Sequence, residues 1–135
     1  MLDIDFIKGL NHSSYALGDV LGELMQCSMK DVPLSVKIKA SGIRLICKHI
    51  YSSTYSYLDK LECKDKSRRV YYTEGDLLRD LLVGAFLFEQ VCDTSMHSYE
   101  GVLNYCDVYY PECNAREEFS NLKTWLVHLG HLNLL

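Results

Sequence analysis

The feature that most limits what this chain can fold into is its most hydrophobic segment, residues 77–92, "LLRDLLVGAFLFEQVC". Leu78, Leu81, Ala85, Phe88 and Cys92 recur at helical spacing on one face, while Leu82, Val83, Phe86 and Val91 occupy the others. A helix apolar all round needs cover on every side, which predicts a central helix wrapped by others. Its uninterrupted apolar run, 81–88, falls far short of the about 18 residues that a membrane span requires, so no span is expected.

The rest of the chain supplies the wrapping. Only two prolines, Pro33 and Pro111, interrupt it, and alternating polarity is scarce, so the periodic signal is helical and the fold class is all-α. At 135 residues, without repeats or a linker, the chain reads as one domain over 1–135. A first segment, broken near "NHSS", resumes as a helix from Ser13 or Ser14 to about Met29, with Ala16, Val20, Leu21 and Leu24 on its buried side. Pro33 opens a second helix, where its missing amide costs little, with Val36, Ile38, Ile43, Ile46 and Ile50 as a stripe that continues into "YSSTYSYLDKL". The charged "ECKDKSRR" reads as a connector, and Glu74-Gly75-Asp76 as a turn with an acidic cap before the apolar helix. A further helix runs from His97 to about Tyr110 and is stopped by Pro111. Another runs from about Ala115 through Leu122, followed by the terminal turn "TWLVHLGHLNLL". There Trp125, Leu126, Leu129 and Leu132 dock on the core, while His128 and His131 face outward.

Composition excludes several functions. Fourteen Lys and Arg against eighteen Asp and Glu leave a net charge of −4, which is the wrong sign for neutralising phosphates, so nucleic acid is not an expected partner. Ser67-Arg68-Arg69 with Tyr71 and Tyr72 is too sparse for an aromatic and basic RNA platform. The opening "MLDIDFIKGL" is acidic and lacks a long apolar stretch, so no secretory signal is read and a reducing interior is expected. In that setting the six cysteines at 27, 47, 63, 92, 106 and 113 read as small buried hydrophobes. Cys106 with Cys113 and His128 with His131 lack the close paired spacing of a zinc site. No nucleophile elbow, phosphate-binding glycine loop or H-E-x-x-H occurs, so neither an enzyme nor a cofactor is expected.

Three stretches, taken in order, resemble the homology motifs of the Bcl-2 family of apoptosis regulators. Ile38, Gly42 and Leu45 fall where the third motif places a leucine, a small glycine and a following apolar residue. Leu81-Leu82-Val83-Gly84-Ala85-Phe86-Leu87-Phe88 is similar to the apolar part of the first motif. Trp125-Leu126-Val127-His128-Leu129-Gly130 resembles the second, with Leu132 where another aromatic often sits. The resemblance covers about Pro33 to Leu135 and departs from the family pattern at two places. Leu78-Arg79-Asp80-Leu81 stands where the first motif has asparagine, tryptophan, glycine and arginine, so Leu81 replaces the groove arginine and Arg79 is its candidate substitute. Ile43 replaces the aspartate of the third motif, which argues against a death ligand. The short length, the missing anchor and these departures look most like viral pro-survival members.

The resemblance implies a Bcl-2-like bundle around the central helix, in which helices near 34–50 and 51–72 and the start of 77–92 form an apolar trough. The trough would sequester the amphipathic death-motif helix of pro-apoptotic Bcl-2 proteins, in the host cytoplasm and peripherally at mitochondria. The trough candidates are Leu45, His49, Leu81, Gly84, Ala85 and Phe88, with Arg79 for the charge contact. Core packing competes for Leu45 and Phe88, a close helix crossing for Gly84, and a plain surface position for His49. An unfilled trough would also favour a homodimer. The competing function keeps the fold but binds inflammatory signalling adaptors of the host through the outer face.

Overall fold

The computed structural model describes residues 2–26, 32–62, 72–93 and 96–132, leaving out the side chains of 92, 93, 96–98 and 130–132. Five α-helices account for nearly all of them: α1 (Ile4–Gln26), α2 (Leu34–Glu62), α3 (Glu74–Asp93), α4 (Met96–Tyr109) and α5 (Ala115–Leu132). No strand occurs among the described residues, so the fold is all-α. Residues 63–71, with Ser67-Arg68-Arg69 and Tyr71, lie outside them, as does Cys27, and so do the side chains of Cys92, His131 and Leu132.

α1 is continuous, without the break expected at "NHSS". Ser13 and Ser14 are buried in mid-helix; the Ser14 hydroxyl donates to the Asn11 carbonyl at 3.1 Å, and Asn11 Nδ2 donates to Thr54 Oγ1 on α2 at 3.0 Å. Small hydroxyl residues that would cap a helix elsewhere here turn back on their own backbone and let α2 come close. One turn further on, a methyl placed on Gly18 would lie 3.4 Å from Cys47 Cβ, and one on Gly22 would lie 3.0 Å from Arg44 Nε. Between these contacts Leu17, Leu21 and Leu24 meet Ile43, Cys47 and Ile50 in one core, to which all five helices contribute.

α2 is a single helix, as the stripe running into "YSSTYSYLDKL" implies, where the resemblance divides it into 34–50 and 51–72. No proline or glycine lies between Ile43 and Glu62. Ser53 and Thr54 keep their hydroxyls on the carbonyls of His49 and Ile50, at 2.9 Å each, so the helix continues through "YSSTYSY". The buried stripe is Ala40, Ile43, Ile46, Cys47 and Ile50; Ile38, expected on it, is 63% exposed.

α3 starts three residues before its expected beginning. Thr73 Oγ1 accepts from the Asp76 amide and Asp76 Oδ2 accepts from the Thr73 amide, each at 3.0 Å, a reciprocal cap that makes Glu74-Gly75-Asp76 the first helical turn. α3 is not the enclosed central helix. Leu77, Leu81, Gly84 and Phe88 are buried, but Val83 is 47% and Phe86 61% exposed. The most extensive helix pair is instead α1 with α2, and α1 also packs on α4 and α5.

α4 stops at Tyr109 before Pro111, a 3-10 turn (Pro111–Cys113) follows, and Asn114 takes the left-handed conformation (φ 52°, ψ 45°) that asparagine tolerates. Its carbonyl accepts from the Glu118 amide at 3.0 Å as α5 begins. Arg116 then joins α5 to α4 through Glu100 at 2.8 Å, Asp107 at 3.1 Å and Asn104 at 2.8 Å. α5 runs unbroken through the expected end at Leu122 to Leu132, with Leu126 and Leu129 buried. Trp125 is half-buried on α1. It meets the Phe6 ring edge-on, centroids 5.3 Å apart, and a methyl on Gly9 would fall 2.6 Å from its Cζ2. Cys47 and Cys106 are buried, and burial pushes both thiols up to about 12, so they pack as protonated apolar groups.

Trp125→Ala is expected to lower stability by about 3 kcal/mol in chemical denaturation, because it empties the seat on α1. Gly9→Ala should cost about 1–3 kcal/mol, since a rigid indole must move. Gly42→Ala, with nothing within 4 Å of the added methyl, should be neutral or stabilise by up to about 1 kcal/mol. A Gly9→Ala variant as stable as the parent would contradict the docking of Trp125.

Candidate functional site

α2 and α3 run antiparallel as a hairpin whose ties recur along its length. Near the closed end Lys60 Nζ donates to the Tyr72 carbonyl at 2.8 Å, in the middle His49 Nε2 donates to the Asp80 carbonyl at 2.8 Å, and near the open end Lys39 Nζ donates to the Val91 carbonyl at 3.3 Å. The Tyr72 hydroxyl donates to the Asp80 carboxylate, and burial together with that bond pushes the phenol up to about 12. These ties settle which face of α3 turns inward.

The inward face is the one on which the resemblance puts the trough. Leu81 is fully buried and Phe88 nearly so, its ring 5.2 Å from that of Phe119 on α5. Gly84 sits at a close helix crossing: a methyl there would lie 2.9 Å from Ile50 Cγ1 and 3.4 Å from His49 Cδ2. Ala85 is half-buried on its flank. His49 is neither a trough residue nor a plain surface one but a strap between α2 and α3. Leu81, Gly84 and Phe88 are thus brought together as expected, but against α2 and α5, so among the described residues they line no open trough.

The remaining candidates lie elsewhere. Leu45 is 62% exposed on the outer side of α2, on the same helix flank as Ile38. Gly42 has open space where the motif's glycine implies a close approach. Arg79 is exposed and shares no face with Leu81; its nearest carboxylates, Asp76 and Asp80, are each 3.6 Å away. Trp125 serves packing on α1, and Gly130 lies where side chains are not described.

What the residue pattern did not single out is the outward face of α3. Leu78, Leu82 and Phe86 follow at intervals of four, and with Val83, Gly75 and Arg79 they line a shallow depression of about 470 Å³. Its floor is apolar and its one charged lining residue is Arg79. The signal was present as the second apolar face of a helix read as apolar all round, but periodicity alone assigned that face to the core. Among the described residues no group of three His, Cys, Asp or Glu side chains converges, and no helix is long and apolar enough to cross a membrane. No family model, no curated protein and no solved structure matches the chain.

Gly84→Ala should cost about 1–3 kcal/mol by forcing α3 off Ile50, and Gly84→Glu should unfold the chain or leave it partly folded, as read by circular dichroism. A stably folded Gly84→Glu variant would mean that this crossing is not closed. A second expectation concerns acid. The Thr73 amide, then its hydroxyl and the Arg79 charge, hold the Asp76 carboxyl below its ordinary 3.8. A depressed value in the folded state means stability present above the unfolded value and lost as pH falls through the folded one. The melting-temperature advantage of the parent over Asp76→Asn should therefore be complete at neutral pH and shrink below about pH 4. A gap that is constant with pH would refute the charged cap.

Proposed function

We propose that this chain is a Bcl-2-like binding protein of viral pro-survival type, which restrains apoptosis by sequestering the amphipathic death-motif helix of a pro-apoptotic partner on the outward face of α3. The observation that carries the reading is the stripe Leu78, Leu82, Val83 and Phe86 with Arg79 among it, in which Val83 and Phe86 are exposed and the two leucines half-buried. A helix presenting apolar anchors at i, i+3 or i+4 and i+7 matches a stripe of that period, and an acidic residue on it would meet Arg79. The resemblance of three motifs in family order supports the partner class. Activity is capture, with no bond made or broken, and it places the protein in the host cytoplasm, peripherally at mitochondria through its partners.

A second reading is favoured by one specific observation, the burial of Leu81, Gly84 and Phe88, which removes the trough that a death-motif helix occupies in the family. On that reading the same outer face takes a helix of a host inflammatory signalling adaptor. Both readings use the stripe; they differ in the occupant. A second copy of the chain would compete for the same surface and give a homodimer.

Titration with a panel of death-motif peptides should give saturable binding, and Phe86→Glu should weaken it by about a hundredfold by setting a desolvated carboxylate against apolar anchors. Because Phe86 is 61% exposed, melting of this variant should match the parent. If no peptide binds the parent, or if Phe86→Glu binds as tightly, sequestration on α3 is wrong. Adaptor-derived helices that bind in the same assay would then select the second reading.

A further inference from the structure

On the flank of α2 that meets α1, Arg44, Lys48, Tyr51 and Tyr55 follow at i, i+4, i+7 and i+11, so two cations and two phenols share one line. α1 lays Tyr15 beside them. The Tyr15 and Tyr51 ring centroids are 5.2 Å apart and those of Tyr51 and Tyr55 5.8 Å, a three-ring ladder in which Tyr15 and Tyr55 are exposed. Between the helices the ladder borders a cleft of about 210 Å³ with Gly18 and Cys47 beneath it and Arg44 and Lys48 along one wall.

These two cations are not held by carboxylates as the two outer arginines are. Arg79 lies near Asp76 and Asp80, and Arg116 binds Glu100 and Asp107. Arg44 and Lys48 form no ion pair with any described residue, although Asp19 stands on the opposite rim of the same cleft. Arg44 is also held in place: its Nε would lie 3.0 Å from a methyl on Gly22, so the side chain fills the space that glycine leaves on α1. Arginine and tyrosine, here a positioned guanidinium and exposed phenols, are residue types enriched where protein interfaces concentrate binding energy.

We infer that the cleft between α1 and α2, bounded by Arg44, Lys48 and the Tyr15–Tyr51–Tyr55 ladder, is a docking site for an acidic segment of a partner protein that carries an aromatic ring. The carboxylates meet Arg44 and Lys48 and the ring lies on the tyrosines. From Arg44 to Tyr55 the line extends about 16 Å along α2, too long for one small anion and matched by about three turns of a helix. Nucleic acid is disfavoured because two cations beside Asp19, on a chain of net charge −4, neutralise too few phosphates. Two neighbouring cations also orient an acidic partner as it approaches. The site lies between α1 and α2, shares no residue with the α3 stripe and does not depend on what binds there.

The test is fluorescence anisotropy with a small set of labelled helical peptides bearing two glutamates four positions apart and a phenylalanine three or seven positions beyond, in both chain directions, each paired with its glutamine counterpart. At least one acidic peptide should bind about tenfold or more tightly than its glutamine form, and its affinity should fall as salt is raised. Arg44→Glu with Lys48→Glu should abolish that preference, and Tyr55→Ala should weaken binding severalfold, with the helical circular dichroism kept in both. Arg44→Gln with Lys48→Gln serves the same purpose if charge reversal disturbs the fold. Equal binding of acidic and glutamine peptides, insensitivity to both double variants, no binding by any peptide up to about 1 mM, or tighter binding of a single-stranded oligonucleotide would each overturn the assignment.

Discussion

The close approach of α1 and α2 is the contact on which the other helices depend. Ser14, Gly18 and Gly22 remove bulk from one side of α1, so the backbone of α2 comes near enough for Cys47 and Arg44 to fill the space, and Asn11 reaches Thr54 across the seam. Close packing over so long a seam brings many small dispersion contacts together with apolar burial, and it does so between two helices of 23 and 29 residues. With that pair formed, each remaining helix has a ready surface: α3 lies on α2, α5 on α1, and α4 closes the gap beside α5.

The same device, a glycine under a bulky neighbour, recurs where α3 and α5 are seated. Gly84 lets α3 cross α2 at Ile50, and Gly9 lets α5 lay Trp125 on α1. At the first site the consequence is functional as well as structural. Once α3 is pressed to α2 through Gly84 and held there by the His49 and Lys39 straps, Leu81 and Phe88 are spent on the core, and only the opposite side of α3 stays available to a partner. Arg79 belongs to that outer side because it lies on the far side of the helix from Leu81 and Gly84, not because of any contact that holds it.

Much of the architecture was legible from particular residues. Pro33 and Pro111 mark helix boundaries, the stripe Ile43, Ile46 and Ile50 names the inner face of α2, and Trp125 with Leu126 and Leu129 names that of α5. Continuity of α2 was legible, because its stripe runs on into "YSSTYSYLDKL", but that of α1 was not, because Asn11, Ser13 and Ser14 carry side chains equally suited to ending a helix. Only the carbonyls they return to, and the neighbour that benefits from their small size, settle the matter. Thr73 was overlooked as the cap of α3 because Gly75 two residues later reads as a turn, although a reciprocal cap tolerates glycine inside the first helical turn.

What the sequence by itself determined is the set of helices and, within each, which residues share a face, since a period of 3.6 residues follows from the backbone alone. It also determined that α3 has more than one apolar face. Which of those faces is covered was decided only in the tertiary structure, because burial depends on the shape of the neighbouring helix as well as on hydrophobicity. Gly84 can approach Ile50 closely and Phe86 cannot, so the face carrying Leu81 and Phe88 goes to the core and the one carrying Leu82, Val83 and Phe86 is left facing water.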